Sequence, residues 1–382
     1  MPAQPKLLII STIAVTQRAF LLPFARHFRG MGWSVDGMAS GISTCCECQS
    51  AFNHTYDIEW SRNPFNPKNL TDATARVQEI VQVGKYDIVH VHTPVASFIT
   101  RLALRKWRYP GKHTVIYTAH GFHFHSRGKS INNLAFLALE KLAGQWTDYL
   151  VVINHEDQAA AHRHLIVKPE RIRYMPGIGI DLKNYRALNR KSINTTNLWK
   201  ELNITAEQAL FLMIASFDPG KRHRDVLQSL AMLRHKEVVV AFAGMGPLQH
   251  QSLEVVHALG IADQVRFLGF REDIPSLITA SRAILLPSER EGLPRSVMES
   301  MALGTPVIGA DARGVRDLLA SGAGIIVPVG DPYRLALAMS YLLDYPDSAK
   351  QMGEIGQRDI QQYDLSIILS LHEQIYQEAL SL

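Results

Sequence analysis

Apolar positions in the first half of the chain come in short, β-branched runs separated by stretches of helical spacing. Residues 7–11 (LLIIS) are the first run. Phe20, Phe24, Phe28 and Met31 then recur at helical intervals over 17–31, and Gly30 and Gly32 stop that helix before a second run at 33–38. Further strands are expected at 87–92, 113–119 and 149–153, with a helix from Glu156 to His164. The second half repeats the pattern, with strands at 210–215, 238–243, 265–268, 283–286, 306–309 and 325–327 and a long helical tail at 361–381. Between the halves, 176–209 opens on Pro176-Gly177-Ile178-Gly179 and is polar, Asn-rich and poorly periodic, as a linker would be.

Such β-α-β alternation implies mainly parallel sheets covered by helices on both faces. The expected fold is α/β, with two Rossmann-like domains facing a central cleft. The boundaries are 1–180, 181–360 and a C-terminal helix at 361–382 that packs back toward the N-terminal domain. Ligands of such sheets bind at the carboxyl ends of strands, beside helix N-termini.

Composition narrows the picture only a little. A chain of 382 residues, 47% of them hydrophobic, is too long for one ordinary core and suits two. No apolar run approaches the roughly 18 residues of a membrane span. Leu7 to Ile10 is preceded only by Lys6 and ended by Ser11 and Thr12, so it reads as a buried first strand rather than a signal peptide. Cys45, Cys46 and Cys48 are an odd, clustered set with no second pair to complete a zinc site. They read as thiols of a reducing cytoplasm. Charge is more informative. Residues 1–190 carry 23 Lys and Arg against 13 Asp and Glu, a net +10, and the remainder is −5. That asymmetry points the first half at a polyanionic surface.

The densest chemistry is Pro287-Ser288-Glu289-Arg290-Glu291-Gly292-Leu293-Pro294-Arg295, running on to Glu299. It follows the strand AILL. Pro294 suits the start of a helix, so Glu291 falls in the loop and Glu299 inside the helix. The N–H groups of Gly292, Leu293 and Arg295 then offer an anion site, and Gly292 permits close approach to the backbone. Taken singly, Glu291 fits equally well a charge that complements the helix dipole.

The whole segment, PSEREGLPRSVMESMALGTPVI, resembles the E-x7-E signature of family 4 glycosyltransferases, which have the GT-B fold. AGMGPLQ at 243–249, VRFLGFREDIPSLITAS at 265–281 and Gly314-Val315-Arg316-Asp317 extend the resemblance over most of 210–330. The resemblance implies that Glu299 bonds the ribose of a nucleotide, that Glu291 lies beside the donor sugar, and that the backbone at Gly292 and Leu293 binds sugar hydroxyls or diphosphate. The family also places an Arg and a Lys after the first strand of this domain, to offset charge growing on the departing diphosphate. Here the stretch is Ala215-Ser216-Phe217-Asp218-Pro219-Gly220-Lys221-Arg222. Lys221 matches; Ser216 departs, leaving Arg222 or the first domain to supply the second cation. Either residue also suits a solvated loop.

In the first half, Tyr117-Thr118-Ala119-His120-Gly121-Phe122-His123-Phe124-His125 resembles the T-A-H-G-F-H-F stretch of polysaccharide-type members of the family. The resemblance assigns His120, as a neutral imidazole, to a sugar hydroxyl or the acceptor, with His123 in the acceptor cleft. Packed core histidines are the alternative for His123 and His125. A three-His metal site lacks a completing carboxylate. The family's Gly-Gly loop after the first strand is absent; Ser11 to Gln17 replaces it, with Thr16 or Ser11 as a donor or acceptor contact. Arg101, Arg105, Lys106, Arg108 and Lys112 around Trp107 and Tyr109 form a basic patch, suited either to solvent or to an anionic membrane. No nucleic-acid reading motif accompanies it.

These features together lead us to expect a retaining transferase. It would move a sugar (hexose or N-acetylhexosamine) from a nucleoside diphosphate sugar, expected to be UDP-linked, to a lipid-linked saccharide. The expected setting is lipopolysaccharide or other cell-surface polysaccharide synthesis at the cytoplasmic face of the inner membrane. No Asp-x-Asp occurs, so no cofactor and no obligatory metal are expected. The rival readings are a nucleotide-sugar 2-epimerase on the same fold and a non-catalytic scaffold of a polysaccharide assembly complex.

Overall fold

Leu7, Leu8, Ile9 and Ile10 are all buried in the first strand, which shows no in-out alternation because helices cover both faces of a parallel sheet. The computed structural model describes residues 4–61, 66–107, 113–124, 130–187, 195–205 and 207–382. They form two compact units: residues 1–178 with 366–382, and residues 179–365.

The first unit is built on a seven-stranded sheet in the order β3-β2-β1-β4-β5-β6-β7. Its strands are β1 (Lys6–Ile13), β2 (Ser34–Ser40), β3 (Thr55–Asp57), β4 (Ile88–His92), β5 (Thr114–Ala119), β6 (Tyr149–Val152) and β7 (Ile172–Tyr174), and every pairing is parallel. The two edge strands are absent from the sequence-based expectation. Each has three residues, TYD and IRY, too few for any periodicity to show.

The second unit carries six parallel strands in the order β10-β9-β8-β11-β12-β13. They are β8 (Ala209–Ile214), β9 (Val238–Ala243), β10 (Val265–Gly269), β11 (Ala283–Leu286), β12 (Val307–Ala310) and β13 (Gly324–Val327). Part of the stretch expected to be a linker is structured: helices Leu182–Ala187 and Thr195–Glu201 lie within it. Ile180, Leu182, Leu198, Leu202 and Ile204 join this unit's core. Sparse apolar residues among many polar ones hid them from a periodicity test.

The helix Leu365–Leu380 belongs, from Ser366 onward, to the first unit. Several of its polar side chains find partners in that unit. Tyr376 bonds His90 Nδ1 at 2.6 Å, Glu373 meets His27 at 2.6 Å, and Glu378 meets Arg173 at 2.6 Å. Phe28 and Trp33 pack on the Tyr376 ring.

Cys45 and Cys48 are joined as a disulfide, and Cys46 is an exposed thiol. This corrects the expectation of three thiols. Cys45 caps the short helix Cys46–Ala51, and that turn brings the two Cα atoms to 5.2 Å, within bridging range.

Candidate active site

A doubly wound sheet has a switch point where neighbouring strands send their connections to opposite sides, and a crevice opens there at the strands' carboxyl ends. In the second unit this point lies between β8 and β11. Two loops meet at it. One, Ala215 to Arg222, follows β8; the other, Pro287 to Pro294, follows β11. A backbone bond from Glu289 N–H to the Gly220 carbonyl, 2.9 Å, stitches them together.

Across that seam Lys221 Nζ donates to Glu291 Oε1 at 2.6 Å. The Glu291 side chain is 11% exposed and that of Lys221 28%. The pair is therefore partly desolvated and its attraction only partly screened. Lys221 ends a short 3₁₀ turn, Pro219–Lys221, and Arg222 follows in the left-handed region at φ 59°. That reversal sends Arg222 away from Glu291. Its guanidinium pairs with Asp225 at 2.5 Å and Glu289 at 2.7 Å. Of the two adjacent cations Lys221 meets Glu291, and Arg222 is taken by Glu289 and Asp225. Ser216, at the position where the family has Arg, bonds Asp218 at 2.5 Å.

The helix Arg295–Leu303 begins directly after the Glu291 loop, with Pro294 at its N-cap. The first N–H groups of a helix lack an intrahelical carbonyl one turn back, and the helix dipole adds positive potential there. Glu299 is buried, 8% exposed, and its Oε1 accepts from Tyr185 Oη at 2.7 Å and Arg295 Nε at 2.9 Å. Burial, reinforced by the adjacent Glu299 carboxylate, holds the Tyr185 hydroxyl well above the usual phenol range. Tyr185 went unnoticed in the sequence because it sits in the stretch read as linker.

Two glycines hold these loops at close quarters. A Cβ on Gly314 would lie 1.8 Å from the Gly292 carbonyl oxygen, so the helix Arg313–Leu319 presses its backbone onto the Glu291 loop. Gly244, after β9, is at φ 156°, and a Cβ there would lie 1.9 Å from the Ala215 carbonyl oxygen. Leu293 is half-buried against the unit's core.

The first unit's switch point lies between β1 and β4. Thr93, after β4, holds a strained φ of 67°, and its Oγ1 lies 2.7 Å from Thr12 Oγ1. Thr16, half-buried, ends the short helix Ala14–Thr16 that follows β1 and precedes the π-helical turn Gln17–Leu21. On one face of the sheet, alternate positions of β4 and β5 align a set of polar side chains. His90 Nε2 lies 2.7 Å from Thr118 Oγ1, and His92 Nδ1 lies 3.0 Å from His120 Nε2. The His90 and His92 rings are 4.2 Å apart. Burial pushes the His120 imidazole down to about 4. Burial and then neighbouring imidazoles put His90 and His92 well below the usual range. At neutral pH the set is therefore uncharged, and each ring offers one donor and one acceptor. The His at i and i+2 in an otherwise apolar strand, DIVHVH, was the signal available for His92. His123 follows three residues after His120, its ring 5.1 Å from Phe136; His125 lies outside the described residues.

The basic patch expected around Trp107 is reduced by the structure. Arg101 is 1% exposed and faces inward, donating to Glu140 at 3.0 Å and lying 4.2 Å over the Tyr117 ring. Helical spacing from Arg105 put it on the same side, but burial of its long side chain needed only one carboxylate within reach. Arg105 and Lys106 are exposed; Arg108, Tyr109 and Lys112 lie outside the described residues. Among the described residues no three His, Cys, Asp or Glu side chains gather as a metal set, and no helix is long and apolar enough to cross a membrane.

Two doubly wound parallel-sheet units, the second with a cation, a carboxylate and a helix start at its switch point, define a protein of the GT-B glycosyltransferase class. Comparison with known proteins agrees. The family model described as Glycosyltransferase Family 4 matches residues 19–183, and that described as Glycosyl transferases group 1 matches 194–359. EpsD of Bacillus subtilis (strain 168), described as a candidate glycosyltransferase, is 31% identical over 356 residues, 92% of this chain and 91% of that one. A Campylobacter jejuni N,N'-diacetylbacillosaminyl-diphospho-undecaprenol alpha-1,3-N-acetylgalactosaminyltransferase is 24% identical over 322 residues, 83% of this chain and 84% of its own. Anabaena Alr3699/HepE, solved with UDP and glucose, superposes with a TM-score of 0.80 at 18% identity, over 98% of this chain and all of that one. The chain belongs to the family 4 glycosyltransferases and is a glycosyltransferase.

Proposed function

We propose that the chain transfers a sugar, with retention of anomeric configuration, from a UDP-sugar to a hydroxyl of a lipid-linked saccharide in cell-surface polysaccharide synthesis. The observation that carries the donor half is the Lys221–Glu291 pair, set beside the start of Arg295–Leu303 at the switch point between β8 and β11. The helix start and Lys221 take the diphosphate. Charge on the leaving phosphate grows in the transition state, and a fixed cation beside it lowers the barrier without reorganising. Glu291 holds Lys221 in place until the donor arrives and then faces the sugar. Glu299, already accepting two hydrogen bonds, takes the ribose hydroxyls. Gly292 and Leu293 offer backbone groups to the sugar or diphosphate, and Arg222 contributes a longer-range positive potential while it stays paired with Asp225 and Glu289. Glu291 and Glu299 bind rather than attack, so the diphosphate itself accepts the acceptor's proton on the same face.

The first unit takes the acceptor. His120 is neutral, oriented by His92, and so offers a hydrogen bond to a sugar hydroxyl; His123 and Thr16 lie on the segments that follow β5 and β1 of the same sheet. UDP is favoured because the structural neighbour HepE holds UDP. A lipid diphosphate acceptor is favoured because the Campylobacter relative is named for one. The setting is the cytoplasmic face of the inner membrane.

A donor panel incubated with membrane extract, with mass spectrometry of the lipid fraction, tests the reading. Lipid-dependent release of UDP with a mass gain of one sugar is expected. Epimerised sugar nucleotide in the absence of acceptor would instead identify an isomerase, and binding without turnover across the panel a scaffold.

A further inference from the structure

The helix Ser130–Gly144 in the first unit has two unlike faces. The inner face is tied down. Phe136 packs its ring against His123, and Glu140 accepts from Arg101 at 3.0 Å and from the Tyr117 hydroxyl at 3.2 Å. At the C-terminal end, a Cβ on Gly144 would lie 1.8 Å from the Ile166 carbonyl oxygen, so the helix is seated directly on the 165–167 turn. The outer face is apolar and open. Ile131 is 83% exposed, Leu134 69% and Leu142 44%, with Ala135 and Ala138 exposed between them. Leu165, 63% exposed, continues the ridge beyond the helix. A run of exposed apolar side chains at helical spacing on a rigid helix is unusual on a solvated surface.

Charge says what covers it. The ridge ends in a groove shared by Lys141, Leu142, Leu165, Lys168 and Arg171. Lys141 and Lys168 form no ion pair among the described residues, and the one acidic residue on the helix, Glu140, is turned inward to Arg101. Arg171 is paired with Asp148 at 3.9 Å. An apolar ridge bordered by two lysines without ion pairs matches the boundary of an anionic bilayer, where apolar side chains enter the acyl edge and lysines meet lipid phosphates.

The geometry points to this face as the membrane-docking surface: the helix Ser130–Gly144 lies in the plane of an anionic leaflet, with Ile131, Leu134, Leu142 and Leu165 inserted and Lys141 and Lys168 at the headgroups. The inference rests on the acceptor being lipid-linked only for its purpose. Since Phe136 on the inner face touches His123, docking holds His123 about one helix diameter, roughly 10–12 Å, from the headgroups.

The full chain is sedimented with phosphatidylcholine vesicles, with and without phosphatidylglycerol. Binding to the anionic vesicles that weakens with salt is expected. Ile131→Asp with Leu134→Asp should abolish it. Lys141→Gln with Lys168→Gln should lower the partition coefficient about 25-fold, about fivefold for each charge. All four side chains are exposed, so an unchanged thermal midpoint is expected, and the lysine pair serves should the aspartates disturb the helix. Equal partition of wild type and both variants overturns the inference, as does ridge-dependent self-association without vesicle binding. Transfer to detergent-solubilised acceptor is assayed in parallel. Transfer without ridge-dependent vesicle binding sinks the docking surface alone; ridge-dependent binding without transfer sinks the proposed reaction and leaves the surface standing.

Discussion

At the scale of single residues, the second unit's site is a contest among carboxylates for a few cations. Lys221 is shared with Glu291, whereas Arg222 is held by two acids of its own. On the proposed reading, Lys221 is the cation that changes partner when a diphosphate arrives. Its effect should be larger in the transition state than in the ground state, because the partner charge grows as the bond breaks. Lys221→Ala is therefore expected to lower kcat by about 100-fold or more while donor binding, followed by calorimetry with UDP, weakens far less. Glu299→Ala should do the reverse. It removes hydrogen-bond acceptance by a charged group, weakening UDP binding by about 10-fold or more, and leaves kcat at saturating donor less affected. Small and equal losses from both substitutions would remove the site from this loop pair.

At the scale of elements, the alternation of strand and helix was legible from residue pattern alone because buried parallel strands are continuous apolar runs. The three-residue edge strands and the helices within 176–209 were not, since neither carries enough periodic positions. The E-x7-E spacing placed Glu291 in a loop and Glu299 in the following helix, and the structure has them there. The pairing of Lys221 with Glu291, 70 residues apart, was not readable, because it depends on β8 and β11 being neighbours in a sheet whose order is not the chain order. The contact of Gly314 with Gly292 belongs to this scale too. Gly314→Ala would drive a methyl into the Gly292 carbonyl, so the Glu291 loop must shift. We expect a raised donor KM and a stability loss of about 1–3 kcal/mol, read by steady-state kinetics and thermal unfolding; a neutral substitution would show that the loop tolerates displacement.

At the scale of the whole molecule, the C-terminal helix makes the first unit discontinuous in sequence. It brings His372 and Tyr376 onto the sheet face that carries His90. Burial lowers His372 and His120 to about 4, and His90 and His92 lie below their ordinary range as well. A histidine whose folded pKa is depressed is neutral when folded and takes up a proton on unfolding. Above the ordinary value of about 6.5 it has no effect; as pH falls from there toward 4, stability is lost, by up to about 1.4 kcal/mol per pH unit for each group. Thermal midpoints should thus be level at pH 7–8 and fall steeply below about 6.5. His372→Leu should flatten that slope. An unaltered slope in the variant would mean that carboxylates, not this buried set, govern acid unfolding.

The residues by themselves determined the class of fold, the number of sheets, the loop positions of Glu291 and Lys221, and membership of a glycosyltransferase family, since each of these depends on local periodicity or on contiguous motifs. The tertiary structure decided the rest: that Arg101 turns inward, that Arg222 is taken by Asp225 and Glu289, that Tyr185 caps Glu299, and that an exposed ridge flanks the helix after His120. The physical reason is common to all four. Which partner a long polar side chain meets, and which apolar face is left uncovered, depends on strand order and helix packing, and those place together residues that the chain keeps far apart.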